Sequence, residues 1–157
     1  MLHLPFNHTI TLILITVVIS MVALSNQKVM DRLIFWTPAM QRGQYDRFIT
    51  HGFVHADGPH LLFNMITLFF FGNIIESFYR QFFYDMGFVL FYLGGLVFAI
   101  LPSYFKHRND ARWASLGASG AVSAVLFAYI LFKPWDLIFV FFIPVPAIIF
   151  AILYVGY

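Results

Sequence analysis

The sequence contains no cysteine. Disulfide staples and thiolate metal sites are therefore excluded, and cysteine usage says nothing of redox compartment. Charge is scarce as well. Only 10% of the 157 residues are Asp, Glu, Lys or Arg, where a soluble domain carries roughly a quarter. Nine bases and seven acids cannot cover the surface of a soluble domain of this length. A net charge of +2 is too small and too scattered to point to a nucleic-acid partner, and none is expected. Repeats, low-complexity tracts and linkers are missing too, so residues 1–157 read as one domain. The first apolar run lacks a basic leader and a clean small-residue cleavage site. It is expected to be a retained span rather than a removed signal peptide.

What is abundant is apolar: 61% of the residues are hydrophobic and 20% aromatic, grouped in long blocks. Five runs approach the ~17–25 residues a helix needs to cross the hydrocarbon layer. They lie at about 9–25, 59–78, 82–101, 113–132 and 137–155. The expected fold class is all-α, a polytopic membrane helix bundle lying in the lipid bilayer. Gly94-Gly95 is an expected close-packing point. Lys133-Pro134 should end the fourth span, and Pro144 and Pro146 should kink the fifth. The link from Asn26 to Gly58 mixes aromatics with charges, which suits a folded element at the membrane interface.

Against this apolar background a few polar side chains need explaining. Asp57 and Pro59 mark a helix start. His60 and Asn64 then stand at i and i+4, on one face of the first turns. Ser119 lies in "ASLGASGAVSA", at the mouth of the fourth span. Two crossings separate the starts of spans two and four, so both helix N-termini lie on one side. His60, Asn64 and Ser119 can therefore meet in one layer, where two helix N-termini aim free N–H groups. A developing oxyanion would be stabilised there. Gly117 and Gly120 would admit a close backbone approach to Ser119.

Blander readings compete. A serine among glycines and alanines in a membrane helix is usually packing, its hydroxyl bonded one turn back. Ser115 and Ser123 are read that way, and so would Ser119 be on its own. His3, His8 and His107 are read as interfacial polar tips, and His51 and His55 as structural hydrogen-bonding groups. A metal site from His51, His55 and His60 is disfavoured, because Gly58-Pro59 breaks the spacing. A transporter would need charges in mid-span, whereas these charges sit at span ends and in links.

The run "THGFVHADGPHLLFNM", followed by "GASGAVSA", resembles the rhomboid intramembrane serine proteases. The resemblance covers nearly the whole chain, and "GQYDRFITH" resembles the family's membrane-embedded first loop. It implies an endopeptidase that cleaves transmembrane helices of other membrane proteins, without metal or cofactor. Ser119 would be the nucleophile, with His60 and Asn64 as oxyanion donors. Gly117 and Gly120 would shape the nucleophile's surroundings, and His51, His55 and Arg47 would support the site and the first loop.

The sequence departs from the family pattern in three places. Asp46 stands where a tryptophan is frequent. Ser123 stands where an aromatic ring usually supports the catalytic histidine. No histidine follows Ser119, although the family takes its base from one on a sixth span. The resemblance thus implies five spans of an expected six and a chain that stops before the base, inactive by itself. The rival reading is a catalytically inactive rhomboid-like protein that binds transmembrane helices. For location the resemblance implies a bacterial inner membrane with a cytoplasmic N-terminus. Base counting points the other way, because seven of the nine Lys and Arg lie in the two links of the Ser119 layer.

Overall fold

The computed structural model describes residues 7–84, 86–140 and 143–156. His3 lies outside them, as do one residue of the expected third span and two of the fifth. Helix α1, His8–Ser25, opens with Asn7 as its N-cap, the side chain accepting from the Ile10 amide. Asn26 closes α1 and its side chain caps α2, Gln27–Leu33, so one residue makes the bend. The long link is folded. It contains β1 (Phe35–Trp36), α3 (Thr37–Gln41), α4 (Arg47–Thr50) and a 3₁₀ turn, His51–Phe53.

Helix α5, Gly58–Thr67, starts as its residues dictate. Asp57 accepts from the His60 amide at 2.7 Å, and Pro59 sits in the first turn. A π turn at Leu68–Gly72 joins α5 to α6, Asn73–Phe83, and the three run on as one 26-residue span. That span is longer than the expected 59–78. Tyr84, at φ 64, ends it. Helix α7 therefore begins at Gly87, not at residue 82, and continues through Pro102 to His107. Lys106 and His107 fill its last turn, where cations suit the helix dipole.

The last two expected spans are corrected. Residues 113–118 are not helical. Ala114–Ser115 forms β2, antiparallel to β1, and α8 starts at Ser119 and ends at Phe132. Residues 137–155 do not make one kinked helix. Leu137–Val140 (β3) pairs antiparallel with Ile143–Pro146 (β4), and only Ala147–Gly156 is helical, as α9. Two prolines without N–H groups tip the sequence past a kink and out of the helix. They fit a two-stranded pair, where their missing donors cost little. Among the described residues three units are long and apolar enough to cross a membrane by themselves, α1, the α5–α6 span and α7, and α8 and α9 are shorter apolar helices.

The core lies where α7, α8 and the α5–α6 span meet, around Tyr92, Leu96, Ala121 and Val125. The α7–α8 contact is closest at Gly95. A Cβ there would come within 3.0 Å of the Ala121 backbone, whereas Gly94 makes no such contact.

Candidate active site

Ser119 sits one residue inside α8. The residue at the cap position is Ala118, which offers no side-chain hydrogen bond. The first N–H groups of α8 are thus left without a side-chain acceptor. The Ser119 hydroxyl makes no hydrogen bond among the described residues, and the residue is exposed. Three other helical hydroxyls follow the packing habit: Ser25, Thr67 and Ser77 all donate to carbonyls three or four residues back. Ser119 does not. Ser123 does not either; its hydroxyl lies 3.2 Å from that of Tyr154 on α9.

The helix starts deep in the bundle. A Cβ on Gly120 would stand 2.5 Å from that of Ala99, so only glycine lets α8 press on α7 at this level. Ala99 is eight residues from the end of α7 at His107, about 12 Å along the axis at 1.5 Å per residue. Extended residues before α8 cover this descent. Gly117 makes the final turn at φ +111, a conformation open to glycine but strained for other residues. Its amide donates to the His51 carbonyl at 2.9 Å, and the next amide, of Ala118, donates to His55 Nε2 at 3.2 Å.

His60 and Asn64 reach the same place from α5. They line, with Ser119, Val122, Ser123, Phe150 and others, a cavity of about 310 Å³. The His60 ring lies against the Gly117 backbone, for a Cβ there would be 3.2 Å from Nε2. Asn64 spends one amide hydrogen on the His60 carbonyl at 3.0 Å and keeps a second. A smaller cavity of about 190 Å³ lies on the other side of Ser119, lined by His51, Ala99, Ser103 and Ser115. The structure thus brings His60, Asn64, Ser119, Gly117 and Gly120 together, with His51 and His55 directly behind them.

Arg47 stands apart from the cavity and is buried. Its guanidinium donates to the Asp31 and Ile34 carbonyls at 2.9 and 2.5 Å and to the Gln44 side chain at 2.8 Å, tying the first link together. Asp46 pairs with Arg32 at 2.8 Å, which holds its carboxyl below the usual range. His107 stacks on Trp113 at 5.0 Å. The His8 amide donates to Glu76. Among the described residues no three His, Asp or Glu side chains are arranged to hold a metal ion.

Burial disfavours the charged form of both link histidines. For His51 the carbonyls of Arg47 and Phe48 oppose the effect. For His55 burial comes first and the neighbouring His60 ring adds to it, Asp57 opposing, so that its pKa falls to about 4. Sequence reasoning missed three groups here: Ser20 on α1, Ala99 on α7 and Tyr154 on α9. Each meets the site across the bundle, and no local pattern signals it.

The family model described as the rhomboid domain matches residues 42–157. The chain belongs to the rhomboid family. The RHOMBOID-like protein 12, mitochondrial, of Arabidopsis thaliana is 32% identical over 145 residues, covering 84% of this chain and 43% of that protein. The rhomboid protease GlpG of Enterobacter sp. (strain 638) is 29% identical over 125 residues, covering 78% of this chain and 41% of that protein. GlpG of Klebsiella pneumoniae (strain 342) is 28% identical over 123 residues. The rhomboid chain therefore spans about two fifths of the length of the curated relatives it matches. Its family and its long apolar helices together make it an integral membrane protein.

Proposed function

We propose that this rhomboid-family chain carries the nucleophile and oxyanion site of an intramembrane serine endopeptidase that cleaves transmembrane helices. The observation that carries the reading is the Ser119 hydroxyl. It is free of any backbone partner, at a helix N-terminus without a side-chain cap, beside a cavity shared with His60 and Asn64. Attack by Ser119 Oγ on a peptide carbonyl would place negative charge on the carbonyl oxygen. The free hydrogen of Asn64 Nδ2, a His60 ring N–H and the first amides of α8 supply donors for it. A depth of about 12 Å below the end of α7 suits a substrate helix that unwinds to reach the site. The serine proton needs an acceptor. No histidine follows Ser119, and the base is assigned to none of these 157 residues.

The test is fluorophosphonate labelling of the protein at its full native length, because the probe reports a serine activated by a base. Ser119 should be modified and Ser119→Ala should not. Asn64→Ala should slow the labelling by roughly 10²-fold, the scale of one lost oxyanion donor. No labelling, with retained binding of a transmembrane peptide, would move the chain to the second reading. That reading is a catalytically inactive rhomboid-like protein that binds transmembrane helices, and the Arabidopsis thaliana relative named rhomboid-like fits it. Substrates would be transmembrane proteins of the same bilayer.

For location we propose a bacterial inner membrane with a cytoplasmic N-terminus. The chain lacks native cysteine, so Arg42→Cys offers a single reactive thiol on the Ser119 side. A membrane-impermeant maleimide should label it in spheroplasts. Labelling only after lysis would reverse the orientation.

A further inference from the structure

Helix α1 lines neither cavity beside Ser119. One of its side chains nevertheless reaches the histidine that holds the loop presenting that serine. Ser20 Oγ lies 2.9 Å from His55 Nδ1 and 2.9 Å from the Phe53 carbonyl. The other ring nitrogen, Nε2, is 3.2 Å from the Ala118 amide. Ser20, His55 and Ala118 are all fully buried, so no water competes for these groups.

The direction of each bond follows by elimination. A backbone amide can only donate, so His55 Nε2 must present its lone pair. The ring is then neutral with its proton on Nδ1. That proton needs an acceptor, and Ser20 Oγ is in reach. Ser20 sends its own proton to the Phe53 carbonyl, which can only accept. The chain reads Ala118 N–H to His55 Nε2, His55 Nδ1–H to Ser20 Oγ, Ser20 O–H to the Phe53 carbonyl. The opposite tautomer would set two buried donors, Nε2–H and the Ala118 N–H, against each other. A histidine's tautomer is set by the partner of its second nitrogen, and that partner here is Ser20.

We propose that Ser20 is a positioning residue for Ser119, acting through His55: it accepts the Nδ1 proton of the tautomer that anchors the Ala118 amide and thereby holds the start of α8 in place. Residue 118 precedes Ser119 directly, and with Gly117 held on the His51 carbonyl, two successive amides are pinned by the first link. The anchoring chain stands on geometry alone. Only its consequence for reactivity rests on the proposed role of Ser119.

The experiment uses the whole chain in detergent micelles or nanodiscs. In ¹⁵N-histidine-labelled protein at pH 7, His55 should show a protonated Nδ1 and a bare Nε2. An Nε2-protonated ring or an imidazolium overturns the proposal without any variant. Amide hydrogen exchange then reads the anchor. Ser20→Ala should speed exchange at Ala118 about tenfold, the worth of one hydrogen bond. Exchange at Tyr92 and Val125 in the core should stay unchanged. Ser20→Thr, which keeps the hydroxyl, should restore the slow rate. Unchanged exchange at Ala118, or a loss spread evenly over the core, overturns it. Ser119 labelling should slow in Ser20→Ala in step with the exchange. If the unsubstituted protein at its full native length is not labelled at all, the protease reading falls, while the tautomer and exchange results still decide the role of Ser20.

Discussion

Two helix N-termini in this bundle are treated in opposite ways. At α1 every available acceptor is brought to bear. Asn7 caps the Ile10 amide, and Glu76 of α6 accepts from the His8 and Thr9 amides and the Thr9 hydroxyl at 2.7–2.8 Å. Arg80 balances that carboxylate at 2.8 Å. At α8 there is no acid and no side-chain cap, and Ser119 is left with a free hydroxyl. A terminus meant only to stand is saturated, because unpaired N–H groups away from water are costly. A terminus left open to a cavity is one that a ligand's negative charge can complete.

The largest effect should come from emptying the saturated end. Glu76→Ala removes the acceptor of three donors and the partner of Arg80, at a cost of about 3–5 kcal/mol. Reversible unfolding in mixed micelles would measure it. The tautomer of His55, at the other end, should survive in the folded fraction. Next comes the α7–α8 contact that sets the depth of the open end. Gly120→Val should destabilise by about 2–3 kcal/mol through overpacking on Ala99. Ala99→Gly should return part of that loss, and the double-mutant cycle gives the coupling.

Acid provides a similar challenge to the open end. The folded-state pKa of His55, about 4, lies below its ordinary value of 6.5. Between these values the unfolded chain binds the proton and the folded chain does not. Stability contributed by neutral His55 is therefore intact above pH 6.5 and declines as pH falls toward 4, by roughly 2–3 kcal/mol. A pH series of unfolding free energies, compared with His55→Gln, should isolate that slope. The smallest effect should be at a third N-terminus of intermediate character. Asp57→Ala removes the cap of α5, for about 1 kcal/mol. Any larger loss of Ser119 labelling than of stability would show that α5 must be held for His60 and Asn64 to reach the site.

Much of this was legible along the chain. The start of α5 follows from Asp57 and Pro59, and the shared face of His60 and Asn64 from helical spacing alone. The small-residue surroundings of Ser119 announced a close helix contact, which Gly120 makes with Ala99. The fifth apolar run gave no sign of its strands, because a continuously apolar stretch has no period to separate strand from helix. Pro144 and Pro146 were compatible with either a kink or a strand pair, and pairing with residues 137–140 decided it. The start of α8 was placed six residues early for a related reason. Ala114 and Ser115 are small residues that a helix start accepts, and only their pairing with Phe35–Trp36 makes them extended.

The sequence by itself determined membrane residence, the polar trio of His60, Asn64 and Ser119, and the glycines around that serine. These are local matters of composition, spacing and backbone conformation. The tertiary structure alone decided which hydroxyls are spent and which stay free, how deep α8 begins, and which tautomer His55 adopts. Each of those depends on a donor or acceptor brought from far along the chain, as Ser20 is to His55 across 35 residues and His55 to Ala118 across 63. Hydrogen-bond partners at such separations are chosen by packing, and no pattern of neighbours encodes them.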